Sequence, residues 1–241
     1  MYGMYGYGYG YGLDPTIILV LIGVALSLWA QGRVNSTFSR YSRVRSMTGM
    51  TGAEAARRLL NAQGIYDVTV QQIAGELTDH YDPRTKTVNL SQSVYGATSV
   101  AAIGVAAHEC GHAMQDNEGY APLRFRSALV PVANFGSSLS WPLILLGLVF
   151  GGLGSPLVEI GILMFSLAVL FQLVTLPVEY NASARAVRLL DAQGILAGEE
   201  VNGTRKVLNA AALTYVAAAA TSILQLLRLI ILFGGRNRRD N

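Results

Sequence analysis

The sequence is poor in charge, cysteine and histidine. Only 14% of its 241 residues are charged, against 51% hydrophobic, and its mean hydropathy is +0.37. Soluble domains carry about a quarter charged residues, so an ordinary soluble domain does not fit. The single cysteine, Cys110, excludes an internal disulfide and any Cys-based zinc cluster. A net charge of +3 comes without a dense Lys/Arg patch interleaved with aromatics, so nucleic acid is not an expected partner. The length suits one compact membrane unit, not a membrane domain with a large soluble domain beside it.

The few charges are unevenly placed. Of 33, 26 fall in residues 33–126 and 179–206. Four uncharged apolar runs lie around them. Pro15–Gly32 has 18 residues, just enough to cross a bilayer of about 30 Å at 1.5 Å per residue. Ser127–Val158, interrupted by Pro131, Pro142, Pro156 and several glycines, precedes Ile160–Val178. Gly151–Pro156 reads as a tight turn, so these two predict a helical hairpin. Val207–Leu227, continued by Leu229–Phe233 beyond Arg228, is the fourth; its Ala-rich part, Asn209–Thr221, also suits a helix packed on the polar portion. The expected organisation is a disordered Tyr/Gly tail (1–12), a first transmembrane helix (13–32), a polar portion (33–126), a transmembrane hairpin (127–178), a polar helix and loop (179–206), a transmembrane or membrane-packed helix (207–234) and a basic tail (235–241). No basic region precedes the first apolar run, so a signal peptide is not expected.

Within the polar portion, Thr48–Gly64 predicts a helix, with Thr51 as N-cap, Glu54 three residues on and Gly64 at its end. Val68–Ile73 reads as a strand and Glu76–Ser91 as a hairpin around Asp82-Pro83-Arg84. Ala97–Gln115 reads as a largely apolar helix. One short repeat stands out. Residues 55–65 (AARRLLNAQGI) and 185–195 (RAVRLLDAQGI) agree at eight of eleven positions, which two similar helix ends explain more simply than duplication.

All three histidines lie between residues 80 and 112, and two form His108-Glu109-Cys110-Gly111-His112. On a helix, positions i and i+4 share a face, so both imidazoles can reach one ion, with Glu109 beside them to accept a proton. At this composition the pattern arises by chance on the order of once in a thousand such sequences. Catalytic zinc takes three protein ligands, and no third His lies downstream. Asp116 is i+4 from His112 but is better placed to end that helix, and Glu159 starts the third apolar run at the far membrane face. Glu179 lies at the other end of that run, opening a polar helix on the side where residues 33–126 emerge. It is the chosen third ligand; pairing with Arg185 or Arg188 is its structural alternative.

Three segments, DHYDPRTKTVNLS (79–91), AAHECGHAMQ (106–115) and LPVEYNASARA (176–186), resemble the bacterial membrane zinc metallopeptidases of the YugP type. The similarity runs from about residue 13 onward. More loosely the chain resembles the HtpX-type membrane proteases. The resemblance implies a gluzincin: one Zn2+ held by His108, His112 and Glu179, Glu109 as general base, and a multi-pass protein of the bacterial cell membrane. The looser relatives carry Glu-x-x-x-Asp, whereas Ser183 stands four residues after Glu179. The carboxylate that orients a zinc-bound His in such sites must therefore be replaced, by Asn181 or from elsewhere. The fold class expected is a mainly α integral membrane protein with about four transmembrane helices and a small zincin-like α+β portion. His80, Tyr180 and Arg185 are the candidates, by chemical type, for stabilising an oxyanion. Arg185 alternatively orients Glu179, and His80 alternatively is structural. The hairpin strand 76–81 or 86–91 offers an edge to an extended peptide. Cys110 is expected to be a packed side chain, and Arg228 to snorkel or to be buried against Glu159 or the polar portion.

The two charged segments hold 14 of the 18 Lys/Arg, and basic residues accumulate on the cytoplasmic face. The site is therefore expected to face the cytoplasm. Four strict crossings then put Arg236, Arg238 and Arg239 outside, against the rule. The expected partners are a polypeptide substrate near the bilayer and the bilayer itself; the oligomeric state is not written in the sequence. Two rivals are a zinc-binding scaffold or adaptor without turnover, for which Glu109 has no use, and a small transporter, which needs more paired polar residues than Ser166, Gln172 and Thr175 supply to Ile160–Val178.

Overall fold

The computed structural model describes residues 14–152 and 155–234. The expected Tyr/Gly tail (1–12) and basic tail (235–241) lie outside the described residues. Four long helices carry the apolar runs: α1 (Ile17–Tyr41), α5 (Ala121–Gly151), α6 (Pro156–Ala192) and α7 (Glu199–Phe233). Each is long and apolar enough to cross a membrane. Between α1 and α5 lie α2 (Gly52–Ala62), β1 (Thr69–Ile73), β2 (His80–Asp82), β3 (Thr87–Ser91), the short α3 (Gln92–Tyr95) and α4 (Val100–Asn117). The architecture is that of a mainly α membrane protein with a small α+β part.

Helix ends differ from the apolar runs because charge does not stop a helix; breakers and caps do. α1 passes Gly32 and continues to Tyr41, held by an i,i+4 bond from Gln31 Nε2 to Asn35 Oδ1 (2.9 Å). α5 runs through Pro131 and Pro142 rather than breaking at them. Such prolines persist in membrane helices packed on a neighbour. Here the neighbour is α6, and the two approach closely at glycines: a Cβ on Gly136 would meet the Met164 carbonyl at 2.7 Å, and one on Gly161 would meet Ile144 at 2.6 Å. α6 starts at Pro156 and continues unbroken to Ala192, so no separate helix opens at Glu179. α7 is long and apolar enough to cross a membrane, and it also packs on the polar portion. Near its start it packs on α4, where a Cβ on Gly104 would meet Thr204 Cγ2 at 2.8 Å, and it meets α1 at points from Gly203–Tyr41 to Arg228–Thr16.

The α+β part forms around α4. Thr51 and Glu54 make the reciprocal capping box, so α2 begins at Gly52; Thr48 instead donates to the Ile195 carbonyl (3.1 Å). The strand order is β1-β3-β2, with β1 parallel and β2 antiparallel to β3. All five β3 residues are buried, and both its edges are paired. Of the two hairpin strands, only β2 lies at an edge of the sheet; it is shorter than expected, and its Tyr81 amide is directed to Glu109. Leu59, Leu60, Ile65, Val88, Leu90, Ile103, Leu190 and Ile195 share one core.

The repeat has a common physical cause. At both ends a glycine takes positive φ (Gly64 +69°, Gly194 +60°). Gly64 N–H donates to Asn61 and Ile65 N–H to Leu60; Gly194 donates to Asp191 and Ile195 to Leu190, all at 3.0 Å. Each is a Schellman closure that folds an isoleucine back onto the core. Arg58 Nη2 donates to the Gln193 carbonyl (2.8 Å), joining one copy to the other.

Candidate metal centre

α4 and α6 build the site. His108 and His112 are one turn apart on α4, their ring centroids 4.8 Å apart and nearly perpendicular (82°). α6 brings Glu179 to them: Oε2 lies 3.2 Å from His108 Nε2 and 3.5 Å from His112 Nε2. Gly111 permits this approach. A Cβ there would sit 2.6 Å from the Ala182 carbonyl oxygen and 3.0 Å from its Cα. Cys110, on another face of the helix, is buried with its Sγ 3.6 Å from the Ala56 carbonyl of α2.

The donor set fits zinc. One ligand atom from each of His108, His112 and Glu179 lies within 4.8 Å of the others. Ligands about 2.0–2.1 Å from a tetrahedral Zn2+ are separated by about 3.3 Å, close to the 3.2 and 3.5 Å observed. The far ring nitrogens are also held. His108 Nδ1 lies 3.1 Å from Ser183 Oγ, and His112 Nδ1 lies 3.0 Å from Gln115 Oε1. Ser183 is the residue standing where the looser pattern has Asp. Gln115 Nε2 donates to the Val178 carbonyl (2.9 Å) and to Asn181 Oδ1 (3.0 Å), and Arg185 Nε donates to the same Asn181 oxygen (2.7 Å). Arg185 only donates, which fixes the polarity of the chain. Asn181 Oδ1 accepts, Gln115 Nε2 donates, Gln115 Oε1 accepts from His112 Nδ1–H, and the Nε2 lone pair of His112 faces Glu179.

Other expectations resolve differently. Arg126, not Arg185 or Arg188, pairs with Glu179 (Nη1–Oε1 2.8 Å). Arg185 points away, to Glu118 (2.6 Å) and over the Tyr120 ring (5.8 Å). Asp116 accepts from Tyr81 Oη and Lys86 Nζ, both at 2.8 Å, outside the group of three. His80 lines the cavity, but Nδ1 meets the Thr78 carbonyl (2.8 Å) and Nε2 meets Asn89 Nδ2 (3.1 Å), so neither ring nitrogen is left to donate to a substrate. Tyr180 is exposed on a different surface. Arg228 reaches Asp14 (Nη2–Oδ2 3.5 Å), joining the outer ends of α7 and α1.

Two cavities meet at the centre. One, of about 370 Å3, runs past β2 and the α5–α6 pair, lined by Tyr81, Arg126, Phe171 and Thr175. The other, of about 330 Å3, lies between α1 and α7, lined by Gln31, Val34, Leu77 and Leu208. Asp79, His108, Glu109, Glu179 and Tyr215 belong to both. Glu109 is buried beside His108. Burial pushes its carboxyl up to about 7; the His108 charge opposes this, the Glu179 and Asp79 charges add to it, and the Tyr81 backbone amide opposes it. A carboxyl in that range is suited to accepting a proton near neutral pH. Sequence reasoning missed Arg126, Tyr215, Gln115 and Ser183 as parts of the site. Gln115, three residues after His112 on the helix face, had a signal; Arg126 and Tyr215 had none.

The family described as "Putative neutral zinc metallopeptidase" matches residues 16–234. This chain belongs to that family. It is 49% identical over 224 residues to the "Putative membrane protease YugP" of Bacillus subtilis (strain 168), covering 93% of this chain and 98% of that protein. No solved structure matches it. Family membership and the four apolar helices together make it a membrane protein of a zinc-metallopeptidase family.

Proposed function

We propose that this protein hydrolyses peptide bonds as a zinc metallopeptidase of the bacterial cell membrane, acting on membrane or membrane-proximal polypeptides from the cytoplasmic face. The observation that carries the reading is the delivery of Glu179 by α6, 71 residues along the chain, to both His108 and His112 at 3.2 and 3.5 Å. These three side chains hold Zn2+. The ion, when bound, supplies a Lewis acid that activates water and polarises the scissile carbonyl. Glu109 takes the proton of the attacking water and returns it to the leaving amine. Arg126 holds Glu179 in place through its 2.8 Å ion pair. Tyr215, which lines both cavities at the centre with its hydroxyl against Glu179, is the oxyanion donor in this reading, in place of His80 and Arg185.

An extended substrate adds as a strand to the edge of β2, beside Glu109. Proline placed along His80–Asp82 should abolish cleavage and spare zinc content; undiminished cleavage would remove this mode of binding. The cytoplasmic orientation is supported by the 14 of 18 Lys/Arg carried by the two segments that meet at the site. A zinc-binding scaffold without turnover is disfavoured by the burial of Glu109 at the centre, which a binding-only site does not need.

The test is zinc analysis of the purified protein together with casein cleavage by wild type and Glu109→Gln. One zinc per chain in both is expected, with cleavage at least ~100-fold slower in the variant. Equal cleavage refutes the mechanism, and zinc in both with cleavage in neither selects the scaffold. Glu179→Ala should lose zinc; full retention moves the third ligand elsewhere.

A further inference from the structure

We propose that a third cavity, formed by α1 and α7 with Tyr180 of α6 and sharing no lining residue with the two at the metal centre, binds the phosphate headgroup of an anionic phospholipid. The cavity measures about 690 Å3 and is lined by Arg33, Thr37, Arg40, Lys206, Asn209 and Leu213 among others, with no acidic residue in its wall. Among the described residues, Arg33, Arg40 and Lys206 make no ion pair. Three cations therefore face one space without a counter-charge.

The arrangement is built into both helices. Arg33, Thr37 and Arg40 follow one another at i, i+4 and i+7 on α1, and Lys206, Asn209 and Leu213 at i, i+3 and i+7 on α7, so each helix turns one stripe toward the other. Close contacts on either side keep the space open. Toward the membrane, Thr221 Oγ1 donates to the Gly23 carbonyl (3.1 Å), and a Cβ on Gly23 would meet Thr221 Cγ2 at 2.8 Å. At the other end, a Cβ on Gly203 would meet Tyr41 Cε1 at 2.7 Å. The cavity lies between these two contacts.

The position selects a lipid over a free anion. Arg33 directly follows Gly32, where the first apolar run ends, and Leu213 lies at the same level on α7, so the cavity sits where headgroups lie. Acyl chains continue from there along the exposed apolar residues of α1 on the same face, Trp29 and Ile22, four and eleven residues before Arg33 and 55% and 43% accessible. Basic pockets between membrane helices at this depth suit anionic headgroups. The proposal is independent of the peptidase reading.

The test is native mass spectrometry of the full-length protein in detergent, titrated with phosphatidylglycerol, phosphatidylcholine or inorganic phosphate. Wild type should retain phosphatidylglycerol. Arg33→Gln/Lys206→Gln should need about 10- to 30-fold more lipid for the same occupancy. Arg43→Gln/Arg84→Gln, which removes the same charge elsewhere, should bind as wild type, and Arg33→Lys/Lys206→Arg should retain binding. Equal retention by Arg33→Gln/Lys206→Gln and wild type overturns the proposal, as does equal loss in the Arg43→Gln/Arg84→Gln control. Equal retention of phosphatidylcholine removes the requirement for an anionic lipid, and displacement of phosphatidylglycerol by millimolar phosphate makes this a free-anion site instead. All four proteins should show the same thermal unfolding, since Arg33 and Lys206 are exposed.

Discussion

Gln115 carries a function that its residue type does not announce. It stands between His112 and the Arg185–Asn181 pair, and two acceptors of its amide N–H, the Val178 carbonyl and the Asn181 oxygen held by Arg185, determine which nitrogen of His112 bears the proton. Hydrogen-bond partners that orient a metal-bound His are commonly worth 10–100-fold in metal affinity. Gln115→Leu should therefore weaken zinc binding by about that factor in a chelator competition. Unchanged affinity would show that His112 is oriented without it. Arg185→Gln should produce a smaller loss in the same direction, since the Val178 carbonyl still fixes the Gln115 amide and only the support of Asn181 weakens. Cys110 gives a second test at this scale. Burial pushes its thiol well above the ordinary range, so it stays protonated and unreactive at pH 8. Iodoacetamide should label it only after denaturation; rapid labelling of the native protein would mean that α4 is not packed against α2 as described.

At the scale of elements, the free positions of the histidine motif matter as much as its ligands. Gly111 faces α6 with no room for a methyl group. Gly111→Ala should push α4 and α6 apart at the point where Glu179 joins the histidines, with a cost of about 1–3 kcal/mol. Lower thermal stability and reduced zinc content should appear together; a stable variant with full zinc would show that the helices yield elsewhere. The sequence displayed helix and strand identities well here, because the Thr51–Glu54 box, the Gly64 and Gly194 ends and the Asp82-Pro83-Arg84 turn are local signals. It displayed continuity poorly. Pro131 and Pro142 look like breaks, and the Pro177–Glu179 change from apolar to polar looks like a boundary. Yet α5 and α6 pass through because each rests on the other. Likewise His108, Glu109 and His112 were legible from spacing alone, and Glu179 from elimination and resemblance. Arg126, Tyr215 and the Ser183 contact depend on packing between distant helices, which leaves no local pattern.

For the whole molecule, the uneven charge distribution has a geometric meaning. The segments 33–126 and 179–206 are brought together by the α5–α6 hairpin, and the metal centre forms where they meet. The far ends of α1 and α7 are joined by Asp14 and Arg228. The four spans thus place the metal centre at one end and the Asp14–Arg228 pair at the other. The orientation proposed from the charge bias has the first end in the cytoplasm. The buried native thiol makes this testable without removing Cys110, because a single introduced cysteine reports alone. Met47, 89% accessible beside the α+β part, and Asn237, four residues beyond the end of α7, lie on opposite sides if all four helices cross. In intact cells a membrane-impermeant maleimide should label Asn237→Cys and leave Met47→Cys unmodified until the membrane is permeabilised. The reverse pattern would place the metal centre outside the cell. Labelling of neither in intact cells, with both labelled after permeabilisation, would mean that α7 does not cross and that Arg236, Arg238 and Arg239 obey the positive-inside rule after all.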